Sequence, residues 1–424
     1  MPWMMTVLAI ALLSTFGGVA AVNAADQKPL SIGITGSTPS EPFRNPTAIL
    51  RTSEIQQLIL DIAERPHSRA EIESAIAGQF FSVDDMVAVG LLREEADDLW
   101  IDFNLLRVAD QLRILEVSEE HGRLLAGAFL KRREELETIA RGRDQPRDLS
   151  AEFLYIVLGC FSLDWDGLDL TEERGWRLGA QRVIDGQEFT PWAKEKGAGI
   201  SLQELYWGSH NNSIGGTTLT TFGDHYSLPR FGLPDLLWNN STSFRGFEEL
   251  GEDTTTAARM LAEYEQDATA DVARVMMELG GEDLSAGALG ERTGIEKRKL
   301  DRILAFLEAA EYIESHGDSW QATVLVLRPQ DATKVEAMVA TGREIMVEWH
   351  EANYDRVRRA LADLTPIRNG VPFERVYTEI WHFIFGIANR TLVEEGLFVN
   401  PYGDKRRFQG FLPVVWDAGL AQSP

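Results

Sequence analysis

Cysteine is nearly absent: Cys160 stands alone among 424 residues. With no second thiol the chain can neither close a disulfide on itself nor assemble a cysteine-rich zinc site. Basic residues are also scarce, 41 Lys and Arg against 66 Asp and Glu, which leaves a net charge of −25 and a pI near 4.7. A surface of that sign repels phosphate, so the molecule as a whole does not wrap nucleic acid or an anionic membrane without specificity. Long apolar runs are missing apart from one at the N-terminus, and a mean hydropathy of −0.17 excludes a polytopic membrane protein. Catalytic signatures are lacking too. His350-Glu351-Ala352-Asn353-Tyr354 fails the HExxH pattern at its last position, and no GxSxG elbow or P-loop occurs. Gly33-Ile34-Thr35-Gly36 sits among turn residues, not between a strand and a helix, and is no phosphate loop. The sequence thus indicates no cofactor and no metal, and points away from an enzyme.

What is present is enough apolar material, 44%, to build real cores, and a length that suggests two or three domains. Residues 4–22 form an uncharged apolar run. Val22 and Ala24 fit the −3 and −1 positions of a signal-peptidase site, so residues 1–24 read as a signal peptide, although Met1–Met5 carry no positive charge. The expectation is export, periplasmic or secreted, with no stable membrane insertion after cleavage; without the signal the chain is cytoplasmic. Residues 25–47, rich in Gly, Pro, Ser and Thr, read as a flexible linker.

The chain repeats itself. Setting Glu152–Glu173 against Glu374–Glu395, at a constant offset of 222, aligns Glu152/Glu374, Tyr155/Tyr377, Phe161/Phe383, Leu170/Leu392, Glu172/Glu394 and Glu173/Glu395. Asp98-Leu99-Trp100 faces Asp318-Ser319-Trp320 at 220, and Gly223-Asp224, Leu233-Pro234 and Trp238 resemble Gly403-Asp404, Leu412-Pro413 and Trp416. Two copies follow, 48–245 and 257–424, the first with an insertion near 176–221.

In the second copy Val272, Val275, Met276 and Leu279 mark an amphipathic helix. A short helix, a turn at Thr293-Gly294, a third helix with Leu300, Ile303, Leu304 and Leu307 on one face, and a hairpin from Tyr312 to Leu327 come next. This stretch of about 60 residues resembles the winged helix-turn-helix superfamily of transcriptional regulators. In the first copy Ser53 and Gln56 fit a capping box, short helices are expected over 69–77 and 83–89, and a wing over 100–106. Long helices follow each wing, at about 109–140 and 332–361. The fold class expected is therefore mainly α with small β wings: tandem winged-helix repeats, each followed by a long helix and a helical, aromatic segment, together a fused pseudo-dimer.

The resemblance implies that the third helix reads DNA. In copy two that helix carries Lys297, Arg298, Lys299 and Arg302, and residues 291–302 hold five bases against three acids. Copy one departs from the pattern, with Asp84 and Asp85 and no base over 80–89, and with 11 acids against 4 bases over residues 51–100. DNA contact is expected through repeat 2 only. Export conflicts with a regulator's role, so an exported, non-enzymatic interaction or ligand-binding protein on the same fold is the alternative. Its partner would be a protein or a small apolar ligand, held in a pocket of Tyr155, Cys160, Trp165, Tyr377, Trp381 and His382; core packing accounts for the same aromatics. A weaker alternative places an enzyme site in the insertion around His210 and Asp224, with His225 nearby; their spacing matches no metal signature.

Overall fold

The computed structural model describes residues 28–142, 148–200, 209–214, 216–223, 268–309, 311–400, 412–417 and 419–420. Residues 1–24, expected as a signal peptide, lie outside them, as do Asp224 and His225. The described residues are mainly helical, with four small sheets among them. Among the described residues no helix is long and apolar enough to cross a membrane.

The chain enters through β1 (Leu30–Gly36) and α1 (Pro46–Leu50), followed by α2 (Ser53–Glu64), β2 (His67–Ser68), α3 (Arg69–Ala75), α4 (Val83–Ala88), β3 (Leu92–Glu95) and β4 (Asp98–Ile101). Strands β2, β4 and β3 form one antiparallel sheet behind the three helices. Ile55, Ile59 and Ile62 from one face of α2, with Ile72, Met86 and Leu99, fill this first small core. The expected capping box at Ser53 is absent. Thr52 is the N-cap, and Gln56 is buried instead, accepting from the Leu30 amide at 3.0 Å and donating to the Leu50 carbonyl at 2.8 Å. Capping boxes form at Ser68–Glu71 and Ser82–Asp85.

Residues 28–47 are no linker. β1 pairs antiparallel with seven residues of β7 (Gln187–Glu195), after β6 (Arg182–Ile184). Gly33 belongs to this contact: a Cβ there would fall 2.2 Å from the Trp192 ring, so the glycine serves close approach rather than flexibility.

The same order recurs later in α9 (Ala268–Leu279), β10 (Leu284–Ser285), α10 (Ala286–Thr293), α11 (Lys297–Ala309), β11 (Ile313–His316) and β12 (Ser319–Ala322), with β10, β12 and β11 in one antiparallel sheet. Gly294, at φ +69°, ends α10 in the left-handed conformation that a Cβ disfavours. Val272, Met276, Leu300, Ile303 and Leu307 face inward as their spacing predicts.

Between the two small cores lies a third, built from both halves. From the first half come β5 (Asn104–Leu106), α5 (Val108–Lys131), α6 (Arg133–Ala140), α7 (Ser150–Leu154), a π-helix over Tyr155–Asp166, and α8 (Gly167–Glu173). From the second come β13 (Leu325–Leu327), α12 (Ala332–Ala360), α13 (Thr365–Arg368) and α14 (Phe373–Glu394). The long helices cross over: α5 packs on α14, and α12 packs on the π-helix. Gly122 in α5 approaches the Ile384 carbonyl and Ile387, while Gly342 in α12 approaches Ser162 and Leu158. Residues 384 and 162 differ by the 222 of the sequence repeat. Each long helix also begins alike: the Arg107 amide donates to Asp110 at 2.8 Å and the Arg328 amide to Asp331 at 2.9 Å.

Strand registers move the boundaries of the two halves. β5 runs parallel to β7 with Leu106 opposite Lys194, and β13 runs parallel to β14 (Leu412–Asp417) with Leu327 opposite Trp416. Thus 187–195 stands to β5 as 412–417 stands to β13, while residues 224–238 lie outside the described ones. The expected insertion at 176–221 contains this equivalent strand, and Pro191 matches Pro413 at the same offset of 222. β7 receives β1 on its other side; β14 receives β9 (Thr217–Phe222), itself paired with β8 (Ser209–Ile214). β1 ends on Gly36 (φ +98°) and β9 is followed by Gly223 (φ +85°), the left-handed glycine matching in both.

Candidate functional site

A cleft of about 200 Å³ opens where the halves meet. The π-helix and α8 supply one wall, α12 the other, and β14 the base. Phe161 and Trp165, four residues apart, stack with centroids 4.9 Å apart and planes 17° apart. Trp416 lies against both, at 5.4 and 6.0 Å. Each indole N–H is occupied at its edge: Trp165 Nε1 donates to Ser209 Oγ at 3.0 Å, and Trp416 Nε1 to Thr220 Oγ1 at 2.7 Å. β8 and β9 thereby fix both tryptophans.

The polar rim is acidic. Asp166, Asp169 and Glu173 line it together with Arg343, and Val335 and Val339 add an aliphatic side. Arg343 bridges Asp166 Oδ1 and Glu173. Asp166 Oδ2 is buried and has no hydrogen-bond partner among the described residues. Burial raises the carboxyl of Asp166, against the pull of Arg343, and burial likewise raises Asp169. Behind the aromatic wall Asp164 is buried and raised by burial, opposed by His382 and by a hydrogen bond from Ser209. Nearby, Lys194 Nζ pairs with buried Glu379 at 2.8 Å; burial pushes Glu379 up, but Lys194 and His382 hold it below the usual carboxylate range.

Of the pocket residues named from sequence, only Trp165 lines this cleft. Tyr155, Cys160, Tyr377 and Trp381 are fully buried in the shared core. Trp381 Nε1 donates to the Leu163 carbonyl at 2.9 Å, so it joins α14 to the π-helix as packing. Burial, aided by Asp164, pushes the Cys160 thiol well up. His382 is half-buried, its Nδ1 2.6 Å from the Thr378 carbonyl. The cleft's carboxylates, Arg343 and Trp416 were not identified from the sequence as a site; the one local signal was the Phe161/Trp165 spacing.

The basic residues of α11 divide. Lys297 is exposed and pairs with Asp301 at 2.7 Å one turn on; Arg298 is exposed; Arg302 is half-buried. Lys299 turns inward to buried Asp271 of α9, a packing role. In the first half the corresponding helix, α4, spans six residues and presents Asp84 to Arg69 at 2.9 Å. His210 lies on β8 opposite Thr221.

Compared with models of known protein families, with curated proteins and with solved structures, the chain matches none.

Proposed function

We propose that the chain is a non-enzymatic, transcription-regulator-like binding protein, a fused pseudo-dimer of two winged-helix-type units covering about 30–195 and 217–417. The observation that carries this reading is the crossed packing of α5 on α14, close at Gly122, and of α12 on the π-helix, close at Gly342. Winged-helix regulators often dimerise through the helix after the wing, and here one chain would supply both partners. Nucleic acid would be met through α11 alone, by Lys297, Arg298 and Arg302, with Lys299 holding the helix to α9.

The test is binding to duplex DNA across a salt series. Two phosphate contacts contribute about 1.8 to the slope of log K against log salt, at about 0.9 each. Lys297→Glu/Arg298→Glu should reduce the slope by at least that much; a variant that binds with the parent's affinity and slope refutes the DNA role.

A second reading, an exported interaction or ligand-binding protein on the same architecture, is favoured by the cleft between the halves. Sequencing the N-terminus of the mature protein tests it, since an intact Met1 in a cytoplasmic fraction excludes export.

A further inference from the structure

We propose that the cleft between the π-helix and α12 binds a small organic amine in its protonated form, the ammonium group against Asp166 and Asp169 and the apolar part on Phe161, Trp165 and Trp416. This deepens the ligand-binding reading and rests on it. Three properties of the cleft select that class. The indole N–H groups already donate to Ser209 and Thr220, so the tryptophans offer an anion no donor, while aromatic rings attract a cation. The lining charges are three carboxylates and one guanidinium. Arg343 is engaged by Asp166 and Glu173, so among the described lining residues an anionic ligand meets net repulsion and no uncommitted cation. Finally, Asp166 Oδ2 is a buried acceptor with no donor, a costly state that an N–H group relieves. A primary or secondary amine satisfies this requirement and a quaternary ammonium does not.

Size narrows the class further. At about 200 Å³ the cleft is comparable with a cavity of about 150 Å³ that holds one benzene ring. That is the scale of a one-ring amine. Val335 and Val339 leave one side of the cleft aliphatic, suited to the ligand's hydrocarbon part.

Titration calorimetry of the full chain at neutral pH with benzylamine, benzyl alcohol and benzoate tests the assignment. Benzylamine is expected to bind saturably at one site, at least ten-fold more tightly than benzyl alcohol, with no binding of benzoate. Asp166→Asn should weaken benzylamine at least ten-fold, and Asp169→Asn, on the exposed side of α8, at least three-fold. If Asp166→Asn does not fold, Asp169→Asn and Trp165→Leu carry the test, and Trp165→Leu should also weaken the amine. Equal or tighter binding of the alcohol or the acid overturns the amine assignment and leaves the cleft as a ligand site. Failure of all three probes overturns both, and benzylamine binding that none of the variants alters overturns the location.

Discussion

His350 is an imidazole enclosed by aromatic rings, and its titration has a calculable consequence. It sits on α12 with no exposed surface, stacked on Trp176 at 4.5 Å with planes 7° apart and tilted against Trp381 at 4.7 Å. Its Nδ1 lies 2.8 Å from the Met346 carbonyl and so carries the proton, while Nε2 has no partner. Burial lowers its pKa from 6.5 to about 3. The native state therefore keeps the ring neutral where the unfolded chain protonates it, so stability falls as pH drops below 6.5 and goes on falling until about 3. Between pH 7 and pH 5 the unfolded state gains about 2 kcal/mol of proton binding, at 1.36 kcal/mol per pH unit, that the folded state cannot match. His350→Phe retains a ring in the stack and removes the titration. Urea unfolding of parent and variant at both pH values isolates the effect, because every other titrating group cancels in the difference. The gap between parent and variant should shift by about 2 kcal/mol in the variant's favour at pH 5; a gap constant within about 0.5 kcal/mol refutes the reasoning.

Two further perturbations test the packing. Gly122→Ala places a Cβ 2.6 Å from Ile387 Cβ and 2.7 Å from the Ile384 carbonyl, so α5 and α14 must part, at a cost of about 1–3 kcal/mol measurable by thermal unfolding; unchanged stability would mean that the helices do not cross this closely. Lys194→Met strands the Glu379 carboxylate, which is 5% exposed, and should destabilise by about 3–5 kcal/mol, with Lys194→Met/Glu379→Leu recovering most of the loss; a single variant as stable as the parent would place the pair in solvent.

Much of the second half was legible from sequence, because its helices bury one face each and so obey the 3.6-residue period. Leu300, Ile303, Leu304 and Leu307 repeat that period, and Gly294 marks the turn before them. β1 was not legible. Its Gly33 and Gly36 carry the composition of a linker, whereas one glycine admits Trp192 and the other takes a left-handed turn. β7 was hidden for a related reason: Pro191 and the flanking charges of QEFTPWAKE suggest a loop, and only its pairing with β1 and β5 makes it a strand. In the π-helix every residue from Tyr155 to Asp164 is buried, so no amphipathic period exists to read. The cleft was least visible, since Arg343 and Asp166 lie 177 positions apart and in a chain with 66 acidic residues three carboxylates draw no attention.

Helices from the two halves of the chain cross and share one core. A protease site placed between residues 223 and 268, cut in the folded protein, tests this directly by gel filtration. The two fragments should stay together in native buffer, eluting as one species of the parent's size and separating only in denaturant. Fragments that separate in native buffer, each folded by circular dichroism, would contradict it.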